Sequence, residues 1–129
     1  MKNKNDIQFG EGTFDDFYGH KIISITEESI VTELLITSHH HQPMGLVHGG
    51  VYSSMAEAAI SYAAYFTQEG VWVGVNNNTD FIKSAKDGLL VCKAEPIKMG
   101  KRSQLWEAKI FNNDNLCAIS KVRLSNING

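Results

Sequence analysis

The chain has 129 residues, of which 43% are hydrophobic and 20% charged, and its formal net charge is −2. This length fits a single domain, residues 1–129, with one hydrophobic core, and the composition is that of an ordinary globular protein. The slightly acidic charge argues against nucleic acid as a main partner, because nucleic-acid-binding domains normally carry a basic stripe.

Two segments, the N-terminal residues 1–12 and the weakly charged residues 43–68, indicate whether the chain is exported or crosses a membrane. No basic-then-apolar segment opens the chain, and the polar residues 1–12 are expected to be flexible. Residues 43–68 contain three serines and a glutamate, so we expect no membrane span. Cys92 and Cys117 form no Cys-x-x-Cys pair and are interpreted as small core residues. These features favour a cytoplasmic location.

The first third of the chain predicts a helical turn, a hairpin and a loop. Residues 14–18, before Gly19, have the composition of one short helical turn. Residues 21–37 contain two runs of β-branched residues, which favour two antiparallel strands. Residues 38–46 are interrupted by Pro43 and are interpreted as a loop.

Residues 51–66 predict the one long helix, because apolar side chains recur there every three or four positions. The intervening positions are mostly Ala and Ser rather than Lys and Glu. This pattern predicts a helix surrounded by protein on most sides. Gly70 is expected to close it.

The remainder predicts three or four antiparallel strands, with turns rich in Gly, Asn and Asp between them. The runs of strand-forming residues cover 71–82, 89–98, 106–110 and 116–124. Pro96 lacks an N–H and predicts a bulge or an edge position. Two strands, one buried helix and these strands combine most simply as an α+β fold, an antiparallel sheet wrapped around one long helix.

Glu57 is the only charged side chain, histidines apart, within residues 43–68. A carboxylate among small and apolar residues costs free energy unless it is partnered or used. Ser61 lies four residues further on, shares its helix face and can orient the carboxylate. Gly49 and Gly50 precede them, where first-turn N–H groups lack intrahelical partners. Such donors can polarise a carbonyl or stabilise an oxyanion.

The spacing of Gly49 and Glu57 constrains how they work together. Eight residues separate them, roughly 12 Å along a helix at ~1.5 Å per residue. A reacting carbonyl needs both groups within about 3–3.5 Å, which one chain does not supply. Two antiparallel helices across a two-fold axis would bring one protomer's carboxylate to its partner's N–H group. We therefore expect an obligate homodimer with two composite sites.

Simpler interpretations remain open for these residues. A mid-helix glutamate is often a surface or hydrogen-bonded core residue, and a glycine pair often serves packing or a turn. Residues 39–41 and His48 offer imidazole, a common metal ligand, but adjacent loop histidines rarely face one ion. We expect no metal site. Ser53 and Ser54 lie in no Gly-x-Ser-x-Gly elbow and are not expected to be nucleophiles.

The segment 42–50 (QPMGLVHGG), followed by Glu57 and Ser61, resembles the hotdog-fold acyl-CoA thioesterases. It is most similar to the branch that hydrolyses aromatic acyl-CoAs. That branch includes glutamate-type 4-hydroxybenzoyl-CoA thioesterase, 1,4-dihydroxy-2-naphthoyl-CoA thioesterase and the proofreading thioesterase of the enterobactin pathway. The resemblance extends over residues 17–124. Its most specific feature is a set of residues at fixed spacing, which is more specific than any one of them alone: Gln42, His48, Gly49, Glu57 and Ser61.

The resemblance implies a hotdog fold and a homodimer that is doubled to a homotetramer. It implies no metal or organic cofactor, with coenzyme A as part of the substrate and as product. Glu57 would be the nucleophile or the general base for water, and the Gly49 N–H would polarise the thioester carbonyl. Gln42 and His48 would hydrogen-bond near the acyl carbonyl or the product, while Ser61 would position water or the carboxylate.

Further residues fall where relatives contact substrate and coenzyme A. They are Gly50, Gly74, Phe81, Ile82, Lys83, Ser84, Lys98, Met99, Gly100, Lys101, Arg102 and Ser103. The basic side chains at 98, 101 and 102 would meet phosphates, although charges of this kind also mark a solvated strand end. Phe81 departs from the polar residue expected in the naphthoyl branch.

The sequence therefore predicts a thioesterase that hydrolyses aryl- or arylacetyl-CoA to free acid and coenzyme A. Glu57 would attack the carbonyl to form a mixed anhydride, or would activate water; the sequence fits both. Two alternatives stay open. One is a non-catalytic acyl-CoA-binding domain, and the other is a hotdog hydratase or dehydratase, whose histidine-and-carboxylate setting this chain lacks.

Overall fold

The computed structural model describes residues 10–128. The flexibility expected for residues 1–12 thus concerns mostly residues outside this range and stays a prediction. Within the range, the Thr13 N–H donates to the Gly10 carbonyl at 3.0 Å and leads the chain into the first helical turn. No helix in the described range is long and apolar enough to cross a membrane.

One long helix and one six-stranded antiparallel sheet make up the fold. In chain order the elements are α1 (Phe14–Phe17), β1 (Lys21–Ile25), β2 (Ile30–Leu35), a short 3-10 helix (Ser38–His40), α2 (Gly49–Thr67), β3 (Trp72–Phe81), β4 (Leu89–Met99), β5 (Ser103–Asn112) and β6 (Asn115–Asn126). The strand order is β1-β2-β4-β5-β6-β3, and every neighbouring pair is antiparallel. The predicted α+β fold, an antiparallel sheet around one helix, is confirmed.

Helix α2 is the centre of the core and contacts all six strands. Its buried side chains recur at helical spacing: Tyr52, Met55, Ala56, Ala58, Ala59, Ile60, Tyr62, Ala63, Ala64 and Phe66. The many alanines let the sheet approach the helix closely. Each large apolar side chain buried here contributes about 1.5–3 kcal/mol. Cys92 and Cys117 are buried and unpaired within this core, as predicted.

One end of α2 agrees with the prediction and the other does not. The helix begins at Gly49, in the glycine pair predicted to supply its first-turn N–H groups, with His48 as its N-terminal cap. It ends at Thr67, so Gly70 does not close it. Gly70 has a φ of +101° and serves the following turn instead, because that left-handed conformation is strained for other residues.

Strands β1 and β3 are the two edges of the sheet. Strand β3 is ten residues long, none of its side chains is buried, and it exposes Val75 and Phe81. Long exposed edges with apolar side chains are normally paired or covered. Pro96, by contrast, lies on the interior strand β4 at a register shift, which confirms the predicted bulge and not the edge alternative.

His20 is buried beside α1, with 8% of its surface exposed. Its Nε2 lies 2.7 Å from the Thr32 hydroxyl, and its Nδ1 lies 3.3 Å from the Tyr18 hydroxyl. Its ring also packs on Tyr62, with 5.7 Å between the ring centroids. Burial disfavours the charged imidazolium and lowers the pKa of His20 to about 4.

This shift predicts a pH dependence of stability. In the unfolded chain His20 takes up a proton near pH 6.5, whereas in the folded chain it does so only near pH 4. Its contribution is therefore complete above about pH 6.5 and is lost as the pH falls towards about 4. Between about pH 7.5 and 5 the loss in free energy of unfolding is on the order of 2 kcal/mol.

Urea unfolding of wild type and His20→Gln at both pH values tests this. Glutamine keeps a hydrogen-bonding side chain but does not titrate, so the variant should lose less free energy of unfolding than wild type. Equal losses would show that His20 is not the source.

Candidate active site

Glu57 lies in the middle of α2, and its carboxylate is exposed towards β3. A Cβ atom added at Gly74 would lie only 3.1 Å from the Glu57 Cδ, so glycine there leaves room for the carboxylate. The Asn77 side-chain amide donates to the Ser53 carbonyl at 2.9 Å and to the Glu57 Oε1 at 3.5 Å. The carboxylate is therefore held by an amide donor and stays open to solvent.

The orientation of the Asn77 amide is fixed from its other side. The Thr79 hydroxyl donates to the Asn77 Oδ1 at 2.7 Å, which leaves the NH₂ group facing Ser53 and Glu57. Asn77 is not among the site residues predicted from the sequence. The available signal was the run of three asparagines at 76–78, because asparagine is depleted in strands and such a run marks polar groups with another role.

A cavity of about 250 Å³ lies at the Glu57 carboxylate. Its lining comes from α1, α2 and β3: Phe14, Asp15, Ser53, Ser54, Glu57, Ala58, Ser61 and Asn77. This volume is below the range typical of whole-ligand pockets, so it suits a small group and not an entire large ligand. Ser61 lies here as its spacing predicts, but among the described residues no hydrogen bond joins it to Glu57.

The N-terminus of α2 forms a second cluster of predicted site residues. The His48 Nδ1 accepts a hydrogen bond of 2.8 Å from the Gly50 N–H. A neutral His48 therefore carries its proton on Nε2, which remains a donor. In residues 10–128 the Gly49 N–H has no hydrogen-bond acceptor, as is common in the first turn of a helix. Gly49 and His48 thus offer two donors at one helix end.

Phe81 covers this helix end. Its ring atoms lie 2.5–3.0 Å from where a Cβ atom of residue 49 would be, so the contact requires glycine. Phe81 is 61% exposed, and the centroid of its ring lies 6.1 Å from that of the Tyr52 ring. Beyond it, residues 82–84 are exposed, and the Lys83 ammonium donates to the Asn115 side chain at 3.0 Å.

Gln42 lies in the loop before α2 and is partly buried. Its side-chain Oε1 accepts a hydrogen bond from the Met44 N–H, and its main-chain carbonyl accepts one from Gly45 at 3.0 Å. These bonds close the turn over residues 42–45. Gln42 does not line the cavity at Glu57 of its own chain.

The turn between β4 and β5 carries the remaining predicted residues. The side chains of residues 98, 99, 101 and 102 are exposed, and the Gly100 N–H donates to the Ser103 carbonyl at 3.1 Å. Arg123 donates to the Ser103 hydroxyl at 3.2 Å and adds a fourth basic group. The turn lies beside the end of β6 that pairs with Trp72, the first residue of β3.

These clusters lie at different places along β3, because β3 runs antiparallel to α2. Glu57 packs on Gly74, near the start of the strand, and Gly49 packs on Phe81, at its end. Seven residues of strand span roughly 23 Å at ~3.3 Å per residue. One chain therefore brings Glu57, Ser61 and Gly74 together, and separately Gly49, His48 and Phe81, but does not unite the two sets.

The histidines considered as metal ligands have separate partners. The Nε2 of His40 donates to the Tyr18 carbonyl and that of His41 to the Lys86 carbonyl, both at 2.7 Å. Among residues 10–128 no three His, Cys, Asp or Glu side chains are grouped as metal ligands.

Comparison with known proteins gives consistent matches over most of the chain. The family model described as the thioesterase superfamily matches residues 44–119. The 1,4-dihydroxy-2-naphthoyl-CoA hydrolase of Escherichia coli K12 is 31% identical over 116 residues, which cover 88% of this chain and 85% of that protein. Rv1847 of Mycobacterium tuberculosis H37Rv is 37% identical over 120 residues, covering 88% of this chain and 86% of Rv1847.

Solved structures agree with these sequence matches. The structure of thioesterase HI1161 from Haemophilus influenzae superposes with a TM-score of 0.90 at 29% identity, covering 99% of this chain and 92% of that one. The structure of Rv1847 superposes with a TM-score of 0.86 at 37% identity, covering 90% and 97%.

Proposed function

Because this chain belongs to the thioesterase superfamily and is a thioester hydrolase, we propose that it hydrolyses aryl- or arylacetyl-CoA, with Glu57 as nucleophile or general base. The observation that carries the proposal is the exposed Glu57 carboxylate, which lines a cavity of about 250 Å³ and accepts a hydrogen bond of 3.5 Å from Asn77. A cavity of this size suits the acyl group of a CoA thioester and leaves the coenzyme outside.

The proposed thioester hydrolysis requires only a carboxylate and a water molecule as reacting groups. If Glu57 attacks the thioester carbon, the C–S bond breaks, coenzyme A leaves as a thiolate, and water cleaves the resulting mixed anhydride. If Glu57 acts as a base, it takes a proton from water, the water oxygen attacks the same carbon, and the C–S bond breaks to release the acid and the coenzyme A thiolate. Asn77 orients Oε1, while Gly74 leaves space beside Oε2 for the substrate or water. Neither route needs a metal or an organic cofactor.

The proposed donor to the carbonyl oxygen is the Gly49 N–H of a second protomer, assisted by the helix dipole and by the His48 Nε2–H. Gln42, in the adjoining loop, would bind near the same carbonyl or the product. The unpaired edge of β3 offers the means of assembly. If two β3 strands pair antiparallel about their midpoint, Gly74 faces Thr79 of the partner subunit, close to the partner's Phe81 and Gly49. A homodimer would thus unite the two sets.

The exposed basic groups at the β4–β5 turn would bind the coenzyme A phosphates. Lys98, Lys101 and Arg102 supply the charge there, and Arg123 lies beside them. Residues 82–84, Met99, Gly100 and Ser103 would line the path of the coenzyme. A further doubling to a homotetramer stays a prediction of the resemblance.

Thiol release from a panel of aromatic and aliphatic acyl-CoAs tests the function. Wild type should prefer benzoyl- or phenylacetyl-CoA, and Glu57→Gln should lose on the order of 10²–10⁴-fold in kcat, because the amide is neither a base nor a nucleophile. The exposed Glu28→Gln, in the β1–β2 turn, is the matched control. Full turnover by a folded Glu57→Gln would reject the assigned role, and acyl-CoA binding without turnover by wild type would reject hydrolysis.

Asn77→Ala should lower kcat by about tenfold or more, with a smaller change in KM, because the variant loses a hydrogen bond that orients the charged carboxylate. Asn78→Ala is the control, since alternate side chains of a strand point to opposite faces. Steady-state kinetics of both variants on the best substrate give the comparison. Equal effects would mean that Asn77 supports the strand and not Glu57.

Gly49→Pro tests the proposed N–H donor. Proline fits the first position of a helix, and His48 already has a ψ of 135°, which a following proline requires. Gly49→Ala adds the same Cβ atom against Phe81 but keeps the N–H. The proline variant should therefore be on the order of 10²–10³-fold slower than the alanine variant. Equal rates would exclude this donor.

Mixing the Gly49→Pro and Glu57→Gln proteins tests the composite site with the same variants. Each mixed dimer would hold one intact site and one doubly defective site, so random exchange should restore about a quarter of wild-type activity. Mass spectrometry of differently tagged subunits confirms the exchange. Proven exchange without recovered activity would place both groups of each site in one chain.

A further inference from the structure

The cavity at Glu57 is bounded on one side by α1, whose residues were not predicted to belong to the site. On the α2 side the lining residues near Glu57 are small, namely Ser54, Ala58 and Ser61. Among residues 10–128, Phe14 and Asp15 of α1 supply the only aromatic ring and the only other carboxylate of the lining. The α1 turn therefore provides the features of this cavity that can discriminate between ligands.

A hydrogen bond between α1 and α2 holds this wall in place. The Tyr62 hydroxyl donates to the Asp15 Oδ2 at 2.6 Å. Burial and this hydrogen bond raise the pKa of Tyr62 above its ordinary value, so the hydroxyl stays protonated and remains a donor. A four-residue helix is not stable alone, so the position of α1 depends on such contacts.

Ring contacts support the same position. Phe14 packs on Tyr18 with 4.9 Å between ring centroids, Tyr18 stacks on His20 at 5.8 Å, and His20 packs on Tyr62 at 5.7 Å. The rings thus connect Phe14 back to the tyrosine that binds Asp15. The wall is fixed from two directions, by the carboxylate and by the rings.

We propose that α1 selects the acyl group of the substrate, Phe14 by limiting its length and Asp15 by excluding a terminal negative charge. This inference rests on the proposed function, since it assigns the cavity to the acyl group. An apolar or aromatic acyl group gains contact with the Phe14 ring. An acyl group that ends in a carboxylate would be brought close to both Asp15 and Glu57, and this repulsion would disfavour its binding.

Variants of α1 and Tyr62 test the length limit. Phe14→Ala should raise kcat/KM for dodecanoyl-CoA relative to phenylacetyl-CoA by about tenfold, because removing the ring opens the α1 side of the cavity to a longer chain. Phe17→Ala is the matched control: Phe17 lies on the same helical turn, is 85% exposed and does not line this cavity. Tyr62→Phe removes only the hydroxyl and should shift the ratio in the same direction as Phe14→Ala.

Asp15→Asn tests the charge selection while keeping an oxygen that can accept from Tyr62. It should raise kcat/KM for glutaryl-CoA relative to phenylacetyl-CoA by about tenfold. The kcat/KM for dodecanoyl-CoA relative to phenylacetyl-CoA should not change. The inference is overturned if Phe14→Ala and Phe17→Ala give the same length ratio, or if Asp15→Asn leaves the glutaryl ratio unchanged. Wild type that hydrolyses none of these thioesters would instead reject the proposed function itself.

Discussion

The packing of α2 against the sheet determines the geometry of the site, because its buried side chains fix which part of the helix faces outward. Ten of its residues pack inward against the strands. The helical turn that carries Glu57 therefore has its exposed side towards β3, where Gly74 and Asn77 contact the Glu57 side chain. The carboxylate therefore sits on a rigid element and is oriented by an amide that is itself fixed by Thr79.

The antiparallel arrangement of α2 and β3 separates the parts of the proposed reaction. A carboxylate near the start of β3 and a helix N-terminus near its end cannot reach one carbonyl within a single chain. The edge strand between them is long and carries no buried side chain, and its outer edge pairs with no strand in the described part of the chain. In the proposed homodimer, pairing of that edge would cover the exposed strand and would also bring Glu57 of one protomer to Gly49 of the other.

Much of the fold could be predicted from the sequence, because helical and strand periodicity record which side chains face the core. The Met55 and Ala59 spacing and the Pro96 bulge are examples. Periodicity does not show which residues of different helices and strands contact each other. Asn77 and Phe14 meet the Glu57 cavity only through strand register and the packing of α1, so neither was predicted. Gly70 was misassigned because a glycine after a helix suits the following turn as well as the helix end.

Because Gly49 and Glu57 lie near opposite ends of β3, a single chain can fold without forming a complete active site. Each chain buries its own helix and completes its own core, so an isolated protomer would keep its native spectrum. Under the composite-site proposal it would still be inert. Specific activity would then decline on dilution below the dissociation constant, long before any loss of secondary structure, and the concentration of the protein in its compartment would itself act as a control on turnover.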